Sequence, residues 1–143
     1  MKEARQQAQI AASPQDCFDA IADFETYPEW QEAVQECEVL SRDQDGRARR
    51  VRTTIDAKVK RVSYTLDYSY DEPHAVRWEF VEGDPKNLDG EFLFEESDDG
   101  TTLATYALRL DAGVWIPGPI AKVLKDQVMK RAVEDLKRRV ESA

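Results

Sequence analysis

The chain reads as an α+β protein in which a seven-stranded antiparallel sheet is covered by a long C-terminal helix, with two short helices between strands 1 and 2. Three observations carry that reading. Period-two alternation recurs from Val34 to Leu110, broken by short turns built on Asp-Gly or Pro. Helix-start signals stand at Ser13-Pro14 and Tyr27-Pro28, before that run begins. About 24 residues of helical pattern follow Pro119, roughly 36 Å of helix.

The first strand is expected over residues 3–12, where Ala4, Ala8, Ile10 and Ala12 alternate with Arg5, Gln7 and Gln9. In SPQD, Ser13 can cap a helix whose first residue is Pro14, and Cys17, Phe18, Ile21 and Ala22 form its apolar face. ADFETYPEW, residues 22–30, then turns the corner. Thr26 and Glu29 have capping-box spacing and Pro28 occupies a first turn, so a second short helix starts there, with Phe24, Tyr27 and Trp30 free to pack the joint.

Gln44-Asp45-Gly46 makes the turn of the first hairpin, which sets Cys37 opposite Thr53, Val39 opposite Val51 and Glu38 opposite Arg52. The next strand alternates most clearly, with Val62, Tyr64, Leu66, Tyr68 and Tyr70 on one face. A turn centred on Pro73 places Tyr68 opposite Trp78 and Leu66 opposite Phe80. The Asp98-Asp99-Gly100 turn places Phe92 opposite Tyr106 and Phe94 opposite Ala104. On the last helix Ile120, Val123, Leu124 and Val128 point one way and Met129, Val133, Leu136 and Val140 another, so its two halves touch different things.

Composition narrows the function classes. The chain has 143 residues, a length suited to a single domain over 1–143. With 29 acids against 20 bases the formal charge is −9, which disfavours nucleic acid and anionic membrane partners. No apolar run is long enough for stable membrane insertion and MKEARQQAQIAAS lacks a signal-peptide core, so a cytoplasmic location is expected. Cys17 and Cys37 lack metal or redox spacing and read as small buried hydrophobes; neither metal nor cofactor is expected.

SPQDCFDAIADFETYPEW, VRWEF, GEFLFEESDDGTTLATYAL and IAKVLKDQVMKRAVEDLKRRV give the chain a likeness over nearly its whole length. It resembles the START-like ligand-binding superfamily, also labelled SRPBCC, and most of all its bacterial polyketide cyclase/dehydrase and coenzyme Q-binding-like members. The resemblance implies a helix-grip fold with a deep apolar cavity between the sheet and the long helix.

The residues point the same way, because one sheet face carries too many large rings to be left in water. Thr53, Tyr64, Tyr68, Trp78, Phe80, Phe92, Phe94 and Tyr106 are the candidate lining, with Leu124, Gln127 and Val128 from the helix. For any single ring ordinary core packing is the alternative. As a set, the tyrosines bring hydroxyls that need partners when buried. Trp30, Trp115 and Ile116 are placed at the cavity mouth, where Trp115 either closes the opening or plugs the end of the core.

A catalytic set is not identified. His74 falls in a turn, RARRVR reads as a solvated strand face, and no carboxylate, Cys–His pair or Ser–His–Asp set lands inward. The interior polar candidates are Thr53, Tyr64, Tyr68 and Tyr106, joined by Gln127 and Arg131 on the helix. The expected function is binding or transport of a small hydrophobic or amphipathic ligand such as a lipid, isoprenoid quinone or polyketide-like aromatic. An aromatase/cyclase using cavity tyrosines and an interaction module with a filled core are the alternatives. Oligomeric state is left open.

Overall fold

The computed structural model describes residues 3–56, 61–111 and 118–142, with the side chains of 118–125 and 127 outside the description. Strand β1 (Ala4–Ile10) leads through helix α1 (Pro14–Ala22), a 3-10 turn (Phe24–Thr26) and helix α2 (Tyr27–Trp30) to a meander. The meander is β2 (Val34–Arg42), β3 (Ala48–Asp56), β4 (Arg61–Asp71), β5 (Ala75–Gly83), β6 (Asn87–Glu96) and β7 (Thr102–Asp111), followed by helix α3 (Gly118–Glu141). The sheet has seven strands in the order β1-β7-β6-β5-β4-β3-β2, so the short helices carry the chain from one edge to the other. Among the described residues no helix is long and apolar enough to cross a membrane.

Local chemistry sets the register. Gly46 and Gly100 each take φ +83°, the left-handed conformation that glycine adopts without a Cβ clash. Asp43 Oδ1 accepts from the backbone N–H groups of Asp45 and Arg47 at 2.9 Å each, and Asp99 Oδ1 accepts from the Thr101 backbone at 3.0 Å. The resulting pairs Cys37↔Thr53, Val39↔Val51, Tyr68↔Trp78, Leu66↔Phe80, Phe92↔Tyr106 and Phe94↔Ala104 are those expected. Glu38 and Arg52 meet across the first hairpin at 3.0 Å.

Ser13 caps α1, its Oγ accepting from the Asp16 N–H at 3.1 Å. The second expected cap is corrected. Thr26 is itself helical at φ −88°, ψ −9°, and makes no side-chain cap bond. Its hydroxyl instead donates to the Asp23 carbonyl at 2.8 Å and accepts from Trp30 Nε1 at 3.1 Å. The 3-10 turn ahead of α2 supplies the helical entry, which leaves Thr26 free to tie the corner. Phe24 and Tyr27 are buried there with Val34, Ala48 and Val51.

The second half of α3 lies against α1, β1 and β7, and buries Met129, Val133 and Leu136 beside Ile10, Phe18 and Ile21. Its end is tied to β1: Lys137 Nζ donates to the Gln9 carbonyl at 2.7 Å, and the Ala11 N–H donates to Glu141 at 2.9 Å. Asp135, 4% exposed, accepts from the Glu32 N–H at 3.2 Å and pairs with Arg138, which fastens the exit of α2 to the helix. Arg131, half-buried, pairs at 3.5 Å with Glu32, which follows α2.

Candidate functional site

Side chains directly opposite in an antiparallel sheet share a face. The face of Tyr68 and Trp78 therefore continues through Phe92, Tyr106 and Gln6 on one side and through Tyr64 and Thr53 on the other. This is the face beneath α1 and α3.

It has two unlike ends. Under α1 and the second half of α3, Ile10, Phe18, Ile21, Val76, Phe94, Met129, Val133 and Leu136 are each 3% exposed or less, a dry close-packed core. Away from that end Tyr64, Tyr68, Phe80, Leu88, Tyr106 and Leu110 are only partly buried. Each lies on the same inward face.

Among the expected lining, Phe94 (1%), Phe92 (4%) and Trp78 (7%) are buried in the core cluster, with Phe92 stacked on Phe94 at 5.7 Å. Trp78 links the core to the partly buried rings, its own ring 5.9 Å from Tyr68 and 5.6 Å from Tyr106. Its indole lies over Gly90, where any Cβ would come within 2.6 Å of the ring. Thr53, 4% exposed, has its hydroxyl 3.6 Å from Cys37 Sγ. Burial pushes the Cys37 thiol up to about 11, the Thr53 contact opposing it, so at neutral pH Cys37 is an uncharged wall.

Trp30 is half-buried and packs edge-on to Tyr27 at 5.3 Å, at the seam between the two core clusters. Val128 is half-buried on α3. Trp115 and Ile116 lie outside the described residues, as do the side chains of Leu124 and Gln127.

The five tyrosines divide by what their hydroxyls do. Tyr27 donates to the Ile21 carbonyl and Tyr70 to the Ala48 carbonyl, so both are structural. Tyr64, Tyr68 and Tyr106 make no hydrogen bond among the described residues. Burial holds all three phenols well above the ordinary tyrosine range, so they are neutral donors and acceptors and not bases.

A second concavity, about 1,190 Å³, opens between α1, the β2–β3 turn and the outer faces of β4 to β6. It is lined by charges that pair with one another, among them Arg47 with Glu72, and Arg77 with Glu91 at 3.1 Å. That lining suits water rather than an apolar ligand. Among the described residues no three His, Cys, Asp or Glu side chains converge for a metal, and His74 is exposed in the β4–β5 turn.

One signal in the sequence was passed over. Gln6 shares the inner face with Ala4, Ala8 and Ile10, and its register partner is Tyr106. An apolar alternation interrupted by one amide marks a polar group on an inward face.

Comparison with known proteins agrees with the architecture. A family model described as polyketide cyclase/dehydrase and lipid transport matches residues 1–141. A START superfamily protein from Mycobacterium smegmatis superposes with a TM-score of 0.88 at 23% identity, covering 98% of this chain and 97% of that one. A Thermus thermophilus protein gives 0.83 at 21% identity, over 99% and 98% of the two chains. A Streptomyces aromatase/cyclase gives 0.85 at 14% identity, over 98% and 93%. No curated protein sequence matches the chain closely enough to be called a relative. The sheet, the grip of its terminal helix and the family match over residues 1–141 agree: the chain belongs to the polyketide cyclase/dehydrase and lipid transport family, and its helix-grip structure is START-like.

Proposed function

We propose that the protein binds a small hydrophobic or amphipathic ligand in the chamber between the inner sheet face and α3, acting as a carrier or sensor. The observation that carries this reading is the division of the tyrosines. Two spend their hydroxyls on backbone carbonyls, while those of Tyr64, Tyr68 and Tyr106 have no partner among the described residues and stand among apolar rings. A filled core would satisfy those hydroxyls from within; a ligand-binding chamber leaves them for the guest. The driving force is removal of ligand surface from water at about 25 cal/mol per Å², with the hydroxyls orienting any polar end.

The aromatase/cyclase reading draws support from the family match, and on this chain it would use the same three hydroxyls. Their high pKa fits them to donate a hydrogen bond to a substrate carbonyl and unfits them to remove a proton at neutral pH. Binding is accordingly the primary reading.

Native mass spectrometry of protein purified gently from its own host tests it. A discrete added mass, lost in organic solvent, is the expected result. An apo mass only, together with unchanged thermal stability and Trp fluorescence across quinones, fatty acids and polycyclic aromatics, would reject it.

A further inference from the structure

Phe24 and Tyr27, in the corner between α1 and β2, belong to one apolar cluster with Val34, Ala48 and Val51, whereas Met129, Val133 and Leu136 of α3 belong to another. Trp30, Tyr68 and Tyr70 pack against both. Where the corner passes α3, charge ties the two together. Glu29 pairs with Arg139 at 3.8 Å and Glu32 with Arg131 at 3.5 Å, and the four side chains keep between 35% and 70% of their surface exposed. Asp135, buried on α3, accepts from the Glu32 N–H at 3.2 Å and from Arg138. Between these ties runs a cleft of about 390 Å³ whose walls include Pro28, Trp30, Asp135 and Ser142.

A close-packed apolar seam resists opening because its buried surface would meet water, whereas exposed ion pairs contribute little and weaken with salt. The corner stays packed on β2 and β3, and α3 on α1, β1 and β7, so parting the two breaks polar ties while each cluster keeps its buried members. Contacts of this kind open first in a native protein. Tyr68 stands at the boundary, its ring 4.4 Å from Phe24 on one side and 5.9 Å from Trp78 on the other, so the parted seam leads to the tyrosine wall. We propose that the α2–α3 seam is the gate of the chamber: the two ion pairs and the Asp135 bond to Glu32 release together, and the ligand passes between the corner and α3 beside Trp30. This rests on the ligand-binding reading above and names the route to that same site.

Stopped-flow release of N-phenyl-1-naphthylamine, a neutral fluorescent probe, from the full chain tests it, with hydrogen exchange read in parallel. Raising sodium chloride from about 0.05 M to about 0.5 M should speed release about threefold. Glu29→Gln combined with Glu32→Gln, both on exposed side chains, should speed it about threefold at low salt and remove most of the salt effect. Its Kd should stay within about twofold of the parent, because a gate raises entry and exit alike. Asp135→Ala, checked for cooperative unfolding, should speed release further and hasten exchange of the amides over residues 29–33 at least about tenfold; if that variant fails to fold, the paired substitution and the salt series decide. Release indifferent to both salt and the paired substitution, or unchanged by Asp135→Ala while those amides exchange faster, would overturn the proposal and leave ligand binding intact. If neither this probe nor the quinones, fatty acids and polycyclic aromatics bind, the ligand-binding reading falls and the gate falls with it.

Discussion

The indole of Trp78 rests on the backbone of Gly90, its register partner on β6: a Cβ there would stand 2.6 Å from the ring and 2.6 Å from the Ala107 carbonyl oxygen. The glycine is what lets so large a ring lie close to the strand and touch Tyr68, Phe92 and Tyr106 at once. Gly90→Ala should therefore displace the indole toward the chamber and cost about 1–3 kcal/mol by overpacking. Thermal unfolding and Trp emission check this together; an unchanged midpoint with an unshifted spectrum would show that the contact is not confining.

The two kinds of tyrosine should separate in a stability series. Tyr27→Phe and Tyr70→Phe each leave a carbonyl, Ile21 or Ala48, without its donor and should cost about 1–3 kcal/mol. Tyr64→Phe, Tyr68→Phe and Tyr106→Phe remove hydroxyls with no partner among the described residues and should stay within about 0.5 kcal/mol of the parent. Urea unfolding ranks all five, and the opposite ranking would mean that the chamber hydroxyls are structural.

Much of this arrangement is legible in the residues alone. Gly46 and Gly100 fix two turns, and since a hairpin turn fixes every pair behind it, Cys37 opposite Thr53 and Phe92 opposite Tyr106 follow from the residues, while the Thr53–Tyr64 pairing needs the fold. The irregularity in β5 is not legible. There Thr65 pairs with Glu82 but Leu66 with Phe80, which leaves Val81 out and brings Gly83 opposite Tyr64. The T-x-x-E spacing at Thr26 misleads because it cannot register a preceding 3-10 turn. Whether a tyrosine is structural depends on a carbonyl far off in sequence, as Ala48 is for Tyr70, so the division of the tyrosines needed the fold. Gln6 was missed for a simpler reason: apolar alternation draws attention to Ala4, Ala8 and Ile10, and an amide among them looks like noise.

The pH dependence has a definite sign at both ends. Asp67 is held low by Arg50, Glu72 by Gln15 and Arg47, Asp99 by Thr101, and Glu141 by the Ala11 N–H and Lys137. Carboxylates lowered in the folded state stabilise it above their unfolded values near 4, and that contribution is lost as pH falls through the folded ones. All four are surface groups, so the loss is shallow. Burial raises Cys17 and Cys37 from 9.0 to about 11, so the unfolded thiols ionise first and stability falls between those values as pH rises. Urea midpoints should hold level from pH 5 to 8 and drop below pH 4 and above pH 9. A midpoint that climbs between pH 5 and pH 3 would contradict the carboxylate assignments.

The central claim, that Tyr64, Tyr68 and Tyr106 face the ligand while Tyr27 and Tyr70 hold the fold, is tested most directly by NMR of protein carrying 13C at the tyrosine Cζ position. The five resonances, assigned by single Tyr→Phe substitutions, are followed as an alkylnaphthoquinone, a fatty acid and a polycyclic aromatic are titrated in turn. With a probe that binds, the Tyr64, Tyr68 and Tyr106 signals should shift and those of Tyr27 and Tyr70 should stay in place. Saturable binding that moves Tyr27 or Tyr70 while the other three remain still would contradict it.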